Sequence, residues 1–150
     1  MVFDRHISSS VELLSDNQAR VSVVMCDAFH DIAVLLIVEL EEGTILEAQA
    51  DFIRAPQKEC RETRALMPRL KGITLGRGIR VNATKAIGGE TGCVHLADLV
   101  VEAAKTFGQG IHAINLQDYE NTQDYVDKIS LTKSVKCRYH VENEKRLAQE

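Results

Sequence analysis

The sequence contains no tryptophan and few proline or aromatic residues. Among its 150 residues there are two prolines, three tyrosines and four phenylalanines. Nucleic-acid-binding proteins usually combine a basic charge with aromatic rings on which bases stack. This chain has few such rings and a pI of about 5.7. We therefore expect no nucleic-acid partner.

Long hydrophobic runs are also missing. The longest apolar stretch, residues 32–38, is far shorter than the roughly 20 residues that a helix needs to cross a bilayer. The first residues do not follow the basic, apolar and small-residue order of a signal peptide. We expect a cytoplasmic protein with no membrane partner. Its 45% of hydrophobic and 27% of charged residues are typical of a globular domain.

The chain has four cysteines but no C-x-x-C pair; they are Cys26, Cys60, Cys93 and Cys137. Disulfides are rare in the cytoplasm. We therefore consider first that these residues act as thiols, thiolates or metal ligands.

Positive charge is concentrated in one part of the chain. Residues 54–85 contain nine basic and two acidic residues, a formal charge of +7, against −11 for the remainder. Such a segment attracts phosphate, an acidic cofactor or an acidic protein surface. The alternative is that amphipathic helices here simply expose long basic side chains to water.

Hydrophobic patterning predicts strands in the first third of the chain. Residues 19–26 and 32–40 are rich in β-branched and apolar residues, and residues 44–52 alternate apolar with polar side chains. Residues 8–14 are mixed in character. Turn-forming residues separate these segments, which predicts an antiparallel meander.

Helical periodicity follows the strands. It predicts helices over residues 56–67, 76–87 and 91–107. The third has Thr91 as its expected N-cap and ends where two glycines follow residue 107. Its predicted apolar stripe consists of Leu96, Leu99, Val100, Ala103 and Phe107.

Strands that precede helices, instead of alternating with them, indicate an α+β fold. We predict an antiparallel β-meander of three to four strands, followed by helices packed on one face. Residues 1–116 are predicted to form one domain, and residues 117–150 a peripheral helix or partly ordered C-terminal arm. An exposed meander edge favours a homodimer.

The start of the 91–107 helix carries the most specific chemistry. Cys93 is predicted at its second position, where unpaired N–H groups and the positive end of the helix dipole favour a thiolate. His95 lies in the same turn and can share a ligand or a proton with Cys93. The alternatives are a solvated His95 paired with Asp98 and a Cys93 that is core filler.

The other cysteines lie at element ends. Cys60 is in the first turns of the 56–67 helix, and Cys26 ends a strand beside Asp27, with His30 and Asp31 in the following loop. Such ends converge in an α+β domain. The predicted ligands for zinc, iron or an iron-sulfur cluster are therefore Cys26, Cys60, Cys93 and His95. Cys137 is left out because it lies in the C-terminal segment.

Two other functions stay open. In one, an enzyme uses Cys93 as nucleophile and His95 as base, and Arg77 and Arg80 bind an anionic substrate such as a phosphate or acyl-CoA. In the other, the cysteines only fill the core, and the basic segment meets an acidic protein partner.

The region from about residue 6 to residue 112 resembles a bacterial family known only as a domain of unknown function. The resemblance is carried by Arg5-His6, by the Cys60 helix leading to Leu70-Lys71-Gly72-Ile73, and by Gly92-Cys93-Val94-His95-Leu96. The family commonly has threonine at the position of Val94. Membership implies that Cys60, Cys93 and His95 are positions of interest, and it implies no activity.

The chain is also distantly similar to the NifU/IscU-type scaffold for iron-sulfur cluster assembly, with a fold of the NifU/SufE kind. The matching segments are Cys26-Asp27, Glu42-Gly43-Thr44-Ile45, Cys60, Lys71-Gly72-Ile73-Thr74 and residues 93–104. The scaffold has Cys-Gly-Asp in place of Cys26-Asp27-Ala28, and its histidine precedes the last cysteine, whereas His95 follows Cys93. The similarity implies the fold more strongly than it implies cluster assembly.

Overall fold

The computed structural model describes residues 1–133 and 136–149. Four antiparallel strands form one sheet in chain order: β1 (Arg5–Ser15), β2 (Gln18–Asp27), β3 (Asp31–Glu39) and β4 (Ile45–Arg54). The predicted meander is confirmed. The mixed segment 8–14 belongs to β1, which lies at the sheet edge and is exposed along most of its length. No buried alternation therefore marks it in the sequence.

Within the described residues, five α-helices follow the sheet: α1 (Lys58–Glu62), α2 (Ile79–Ile87), α3 (Val94–Leu116), α4 (Thr122–Thr132) and α5 (Arg138–Leu147). Two 3₁₀ helices, Thr63–Leu70 and Gly89–Thr91, lie between them. The predicted α+β class is confirmed. No helix in this part of the chain is long and apolar enough to span a bilayer.

The predicted N-cap at Thr91 is wrong. Thr91 ends the short 3₁₀ helix, and α3 begins only at Val94. The backbone N–H of Cys93 donates to the carbonyl of Ile87 at 2.8 Å, so the chain turns back on the end of α2 before α3 starts. A Cβ at Gly92 would lie 2.1 Å from that same carbonyl oxygen. Only glycine fits this crossing.

The predicted end of α3 is also wrong. The helix continues through Gly108 and Gly110 to Leu116. A Cβ at Gly110 would lie 2.7 Å from the Val11 side chain, so this glycine lets α3 approach β1 closely. Gly110 is therefore a packing residue, because the contact with β1 outweighs the low helix propensity of glycine.

Alternate residues of the strands form the core with the helices. The residues of β2 and β3 that belong to the hydrophobic cluster are Val21, Val23, Met25, Ile32, Val34, Leu36 and Val38. The predicted apolar stripe of α3 is buried in the same cluster, from Leu96 to Phe107. Burying one such side chain contributes about 1.5–3 kcal/mol. The intervening strand residues, such as Cys26 and Leu35, point to the opposite face of the sheet.

The chain divides into two compact units, Met1–Ile111 and His112–Glu150. The domain boundary predicted from the sequence, after residue 116, lies five residues later in the chain than this division after Ile111. Residues 134, 135 and 150 of the predicted C-terminal arm lie outside the described residues.

The second unit contains α4 and α5, which meet through polar side chains. Asn143 donates to Ser130 Oγ at 3.0 Å and to Asp127 Oδ1 at 2.8 Å, and Ser130 Oγ lies 2.8 Å from His140 Nδ1. Ser130 and Asn143 are both buried. Hydrogen bonds thus satisfy the polar groups between the two helices.

A substitution of Gly92 tests the crossing between α2 and α3. We expect Gly92→Ala to lower the free energy of unfolding by about 3 kcal/mol, because its methyl group would overlap the Ile87 carbonyl. Gly108→Ala is the control, since its Cβ would meet nothing within 4 Å and alanine favours the helix by about 0.5–1 kcal/mol. Urea unfolding measures both. Equal stability of the two variants would contradict this account of Gly92.

Candidate functional site

The turn between β2 and β3 is built on the side chain of Asp27. The backbone N–H of Asp27 donates to the His30 carbonyl at 2.8 Å. Asp27 Oδ1 accepts from the backbone N–H groups of Phe29 and His30, both at 2.8 Å. An aspartate that accepts from residues two and three positions ahead stabilises a tight turn. This turn brings His30 Nδ1 to 3.1 Å from the same carboxylate oxygen.

Arg5 binds the other oxygen of the same carboxylate. Asp27 is its register partner on β2, and Arg5 donates to Asp27 Oδ2 from Nε at 2.8 Å and from Nη2 at 2.7 Å. Burial tends to raise the pKa of Asp27. The hydrogen bonds from Phe29, His30 and Arg5 outweigh that effect and hold the pKa well below its ordinary value. Asp27 is therefore a carboxylate at neutral pH.

The charge of Asp27 determines the tautomer of His30. An ionised carboxylate can only accept hydrogen bonds, so the Nδ1 of His30 must be the donor in their contact. In the neutral ring, the lone pair then lies on Nε2. Carboxylates orient catalytic and metal-binding histidines in the same way.

His95 completes the site from another part of the chain. It is the second residue of α3, and its ring centroid lies 4.1 Å from that of His30 at an interplanar angle of 47°. Burial, followed by the charges of His30 and Arg5, lowers the pKa of His95, while Asp27 and Asp98 oppose this. His95 is therefore neutral at neutral pH. We call His30 and His95 the imidazole pair.

Aromatic rings border the imidazole pair. Phe29 is 58% exposed and stacks on Phe3, with ring centroids 6.3 Å apart. The Arg5 guanidinium lies 5.5 Å from the centre of the Phe3 ring. Exposed aromatic rings beside an arginine are typical of binding surfaces.

The structure brings two of the predicted metal ligands together. Cys60 and Cys93 line one pocket of about 370 Å³, together with Glu59, Glu62 and Glu90. Cys93 is buried, and Cys60 is half-buried. Cys93 lies just before α3 and not at the predicted second position of that helix, yet it shares a pocket with Cys60 of α1 and with acidic residues.

The other two predicted ligands lie elsewhere. Cys26 is on the face of the sheet opposite the core, where Arg54 Nη2 donates to its sulfur at 3.5 Å. His95 packs on His30 and does not line the pocket of Cys60 and Cys93. Across residues 1–133 and 136–149, no group of three or more histidine, cysteine, aspartate or glutamate side chains is arranged to hold a metal ion.

The two predicted anion-binding residues are also separated. Arg80 is paired with Asp98 on α3 at 3.1 Å. Arg77 lines a different groove, together with Lys85.

The fourth cysteine, Cys137, is exposed and lies at the start of α5 in the second unit. The pKa of its thiol is lowered, mainly by a hydrogen bond from the backbone N–H of His140.

In the sequence, Asp27 and His30 are marked only by their position beside and shortly after Cys26. The contact between His30 and His95 joins positions 65 residues apart in the chain. The available signal was an Asp-x-x-His turn directly after a strand. That turn signal does not indicate that α3 brings a second histidine, His95, against the ring of His30.

A substitution of Asp27 tests the role of its charge. The depressed pKa of Asp27 means that its ionised form stabilises the fold above about pH 4, and that this contribution is lost as the pH falls further. We expect Asp27→Asn to lower the free energy of unfolding at pH 7 and to differ less from the wild type at pH 2, because the contribution is lost only as the pH falls toward the strongly lowered folded-state pKa of Asp27. Urea unfolding at both pH values measures this, with Asp51→Asn on the exposed part of β4 as the control. An equal loss at both pH values would contradict the assigned role.

Comparison with known proteins gives one match. Residues 6–109 match the model of a family described as protein of unknown function, DUF2889. Neither a curated protein nor a solved structure matches the chain, so the similarity to the NifU/IscU-type scaffold stays a prediction. The family model covers more than half of the sequence, including Asp27, His30, Cys60, Cys93 and His95. The chain therefore belongs to the DUF2889 family of proteins of unknown function.

Proposed function

We propose that this domain is an enzyme that transfers protons to and from an organic ligand, with His95 as the acid–base group. One observation carries the proposal: the His95 ring lies against His30, and His30 is anchored on the buried Asp27 carboxylate. General acid–base catalysis needs a group whose protonation changes near neutral pH and whose position is fixed.

The electrostatics around His95 support the role of a base. Because its pKa is lowered, His95 has a free lone pair at neutral pH and can accept a proton from an O–H, N–H or acidic C–H group. The ligand becomes its conjugate base, and His95 becomes an imidazolium. The Asp27 carboxylate behind His30 stabilises that positive charge, and the same proton returns in the reverse step.

His30 has a supporting role in this proposal. Its ring contacts His95, and its Nδ1–H is held by Asp27, so it limits the orientations open to His95. Phe3 and Phe29 offer an exposed apolar surface next to the pair. A ligand with an aromatic or other apolar group would fit this surface.

A variant of His95 tests the proposal with a generic acyl substrate, para-nitrophenyl acetate. In its hydrolysis His95 would accept a proton from the attacking water, the ester bond to para-nitrophenolate would break, and His95 would then release the proton to solvent. We expect His95→Gln to lower the rate of hydrolysis at pH 7 by about tenfold or more, because an acid–base group contributes at least that much. The rate should fall with pH only below the ordinary range of histidine, because the pKa of His95 is lowered. Stopped assays over pH 5–8 measure both effects.

The control variant is His6→Gln, since His6 is exposed and is paired with the exposed Asp4. It should keep the wild-type rate and pH profile. The same rate in wild type, His95→Gln and His6→Gln would refute the proposal.

A second function, binding of zinc, iron or an iron-sulfur cluster, is supported by the shared pocket of Cys60 and Cys93. Thiolates and carboxylates are both zinc ligands, and thiolates are the usual ligands of iron-sulfur clusters. Three glutamates surround the two thiols and favour a cation in the pocket. Metal binding would require these side chains to move closer together, because no three potential ligands among the described residues are already arranged to hold a metal ion.

Metal analysis after anaerobic purification without a His-tag tests this second function. We expect a near-stoichiometric metal ion or sulfide that is lost in Cys60→Ala and Cys93→Ala and kept in Cys137→Ala. Cys26→Ala and His95→Gln then test the rest of the predicted ligand set. Metal-free protein that reconstitution cannot load would rule this function out.

A further inference from the structure

A groove runs between α2 and the segment 72–74. It is widely open to solvent, has a volume of about 570 Å³ and is lined by Gly72, Ile73, Thr74, Arg77, Asn82, Lys85 and Ala86. One wall is held by backbone hydrogen bonds to the start of β4, from Gly72 N to Ile45 O at 2.8 Å and from Ile45 N to Ile73 O at 2.9 Å. The groove therefore has one wall built into the sheet.

The other wall is one face of α2. Asn82, Lys85 and Ala86 are three and four positions apart, so they project on the same side of the helix. Arg77 enters from the turn that precedes α2. Two cations, an amide and the hydroxyl of Thr74 thus converge on one groove.

The positive charge of this groove is not neutralised by the protein. The side chains of Arg77 and Lys85 form no ion pair or hydrogen bond within residues 1–133 and 136–149, and no acidic residue lines the groove. Arg80, which is on the same helix as Lys85, is by contrast paired with Asp98. The sequence from 63 to 89 contains six basic residues and no acidic one.

We propose that this groove binds the phosphate group of a small organic phosphate. Arg77 and Lys85 supply the charge, and their donors match the oxygens of a phosphate dianion. Asn82 and Thr74 supply further donors. Ile73 and Ala86 are half-buried and offer apolar contact to the organic part. The site is separate from the imidazole pair and does not depend on its function.

Titration of the full chain with phenyl phosphate at constant ionic strength tests the site. We expect saturable binding of one molecule, detected by calorimetry and by amide shifts in residues 72–86. Arg77→Gln and Lys85→Gln should each weaken binding about tenfold, the usual effect of losing one charge-assisted hydrogen bond. Both side chains are exposed, so the variants should unfold at the wild-type temperature.

Arg64→Gln is the matched control, because it removes the same charge from an exposed position outside the groove. It should leave the affinity unchanged. Equal weakening by all three variants would mean diffuse attraction by the basic segment and would overturn the proposal. Absence of saturable binding to the wild type would overturn it as well.

Discussion

The buried carboxylate of Asp27 holds together parts of the structure that are separate in the sequence. It binds Arg5 at the start of β1, the backbone of the β2–β3 turn and the ring of His30. A buried charge costs several kcal/mol unless other groups replace its hydration. Here the replacing donors come from strand β1, through Arg5, and from the β2–β3 turn, through Phe29 and His30. The position of the His30 ring follows from this requirement for donors.

The imidazole pair exists because α3 begins where the chain crosses the end of α2. Gly92 allows that crossing, and Gly110 lets the same helix approach β1. His95, at the second position of α3, is thereby brought onto His30. A site held between a strand turn and a packed helix is more rigid than one carried on a free loop.

Charge is separated within the Met1–Ile111 unit. The pocket of Cys60 and Cys93 has three carboxylates in its wall, whereas the groove beside α2 has Arg77 and Lys85 and no acidic residue. Carboxylates repel anions, so the thiol pocket favours cations and the groove favours anions. This separation weakens the hypothesis that Cys93 attacks an anionic substrate with His95 as its base. The two residues are also two positions apart on one helix start, a spacing at which side chains do not face each other.

Local patterns in the sequence were enough to predict the meander, its α+β class and the buried stripe of α3. Each of these follows from a short-range period of two or 3.6 residues. The pattern also identified Cys60, Cys93 and His95 as residues of interest, and two of them do share a pocket. Local pattern failed at the ends of α3, where Gly108 and Gly110 predicted a stop. The helix continues there because it packs against Val11, which is 99 residues away from Gly110.

Which side chains the candidate site residues contact was decided by the tertiary structure. Cys26 and Asp27 are neighbours in the chain, yet strand alternation sends one to the open face and the other into the site. The His30 ring contacts the His95 ring, whereas Arg77 lines a groove and Arg80 pairs with Asp98 elsewhere. Sheet register and helix packing determine these distances, and the spacing of the residues in the sequence does not. The physical reason is that the period of an element fixes which face a residue occupies, whereas what it meets there is fixed by burial and charge across the whole fold.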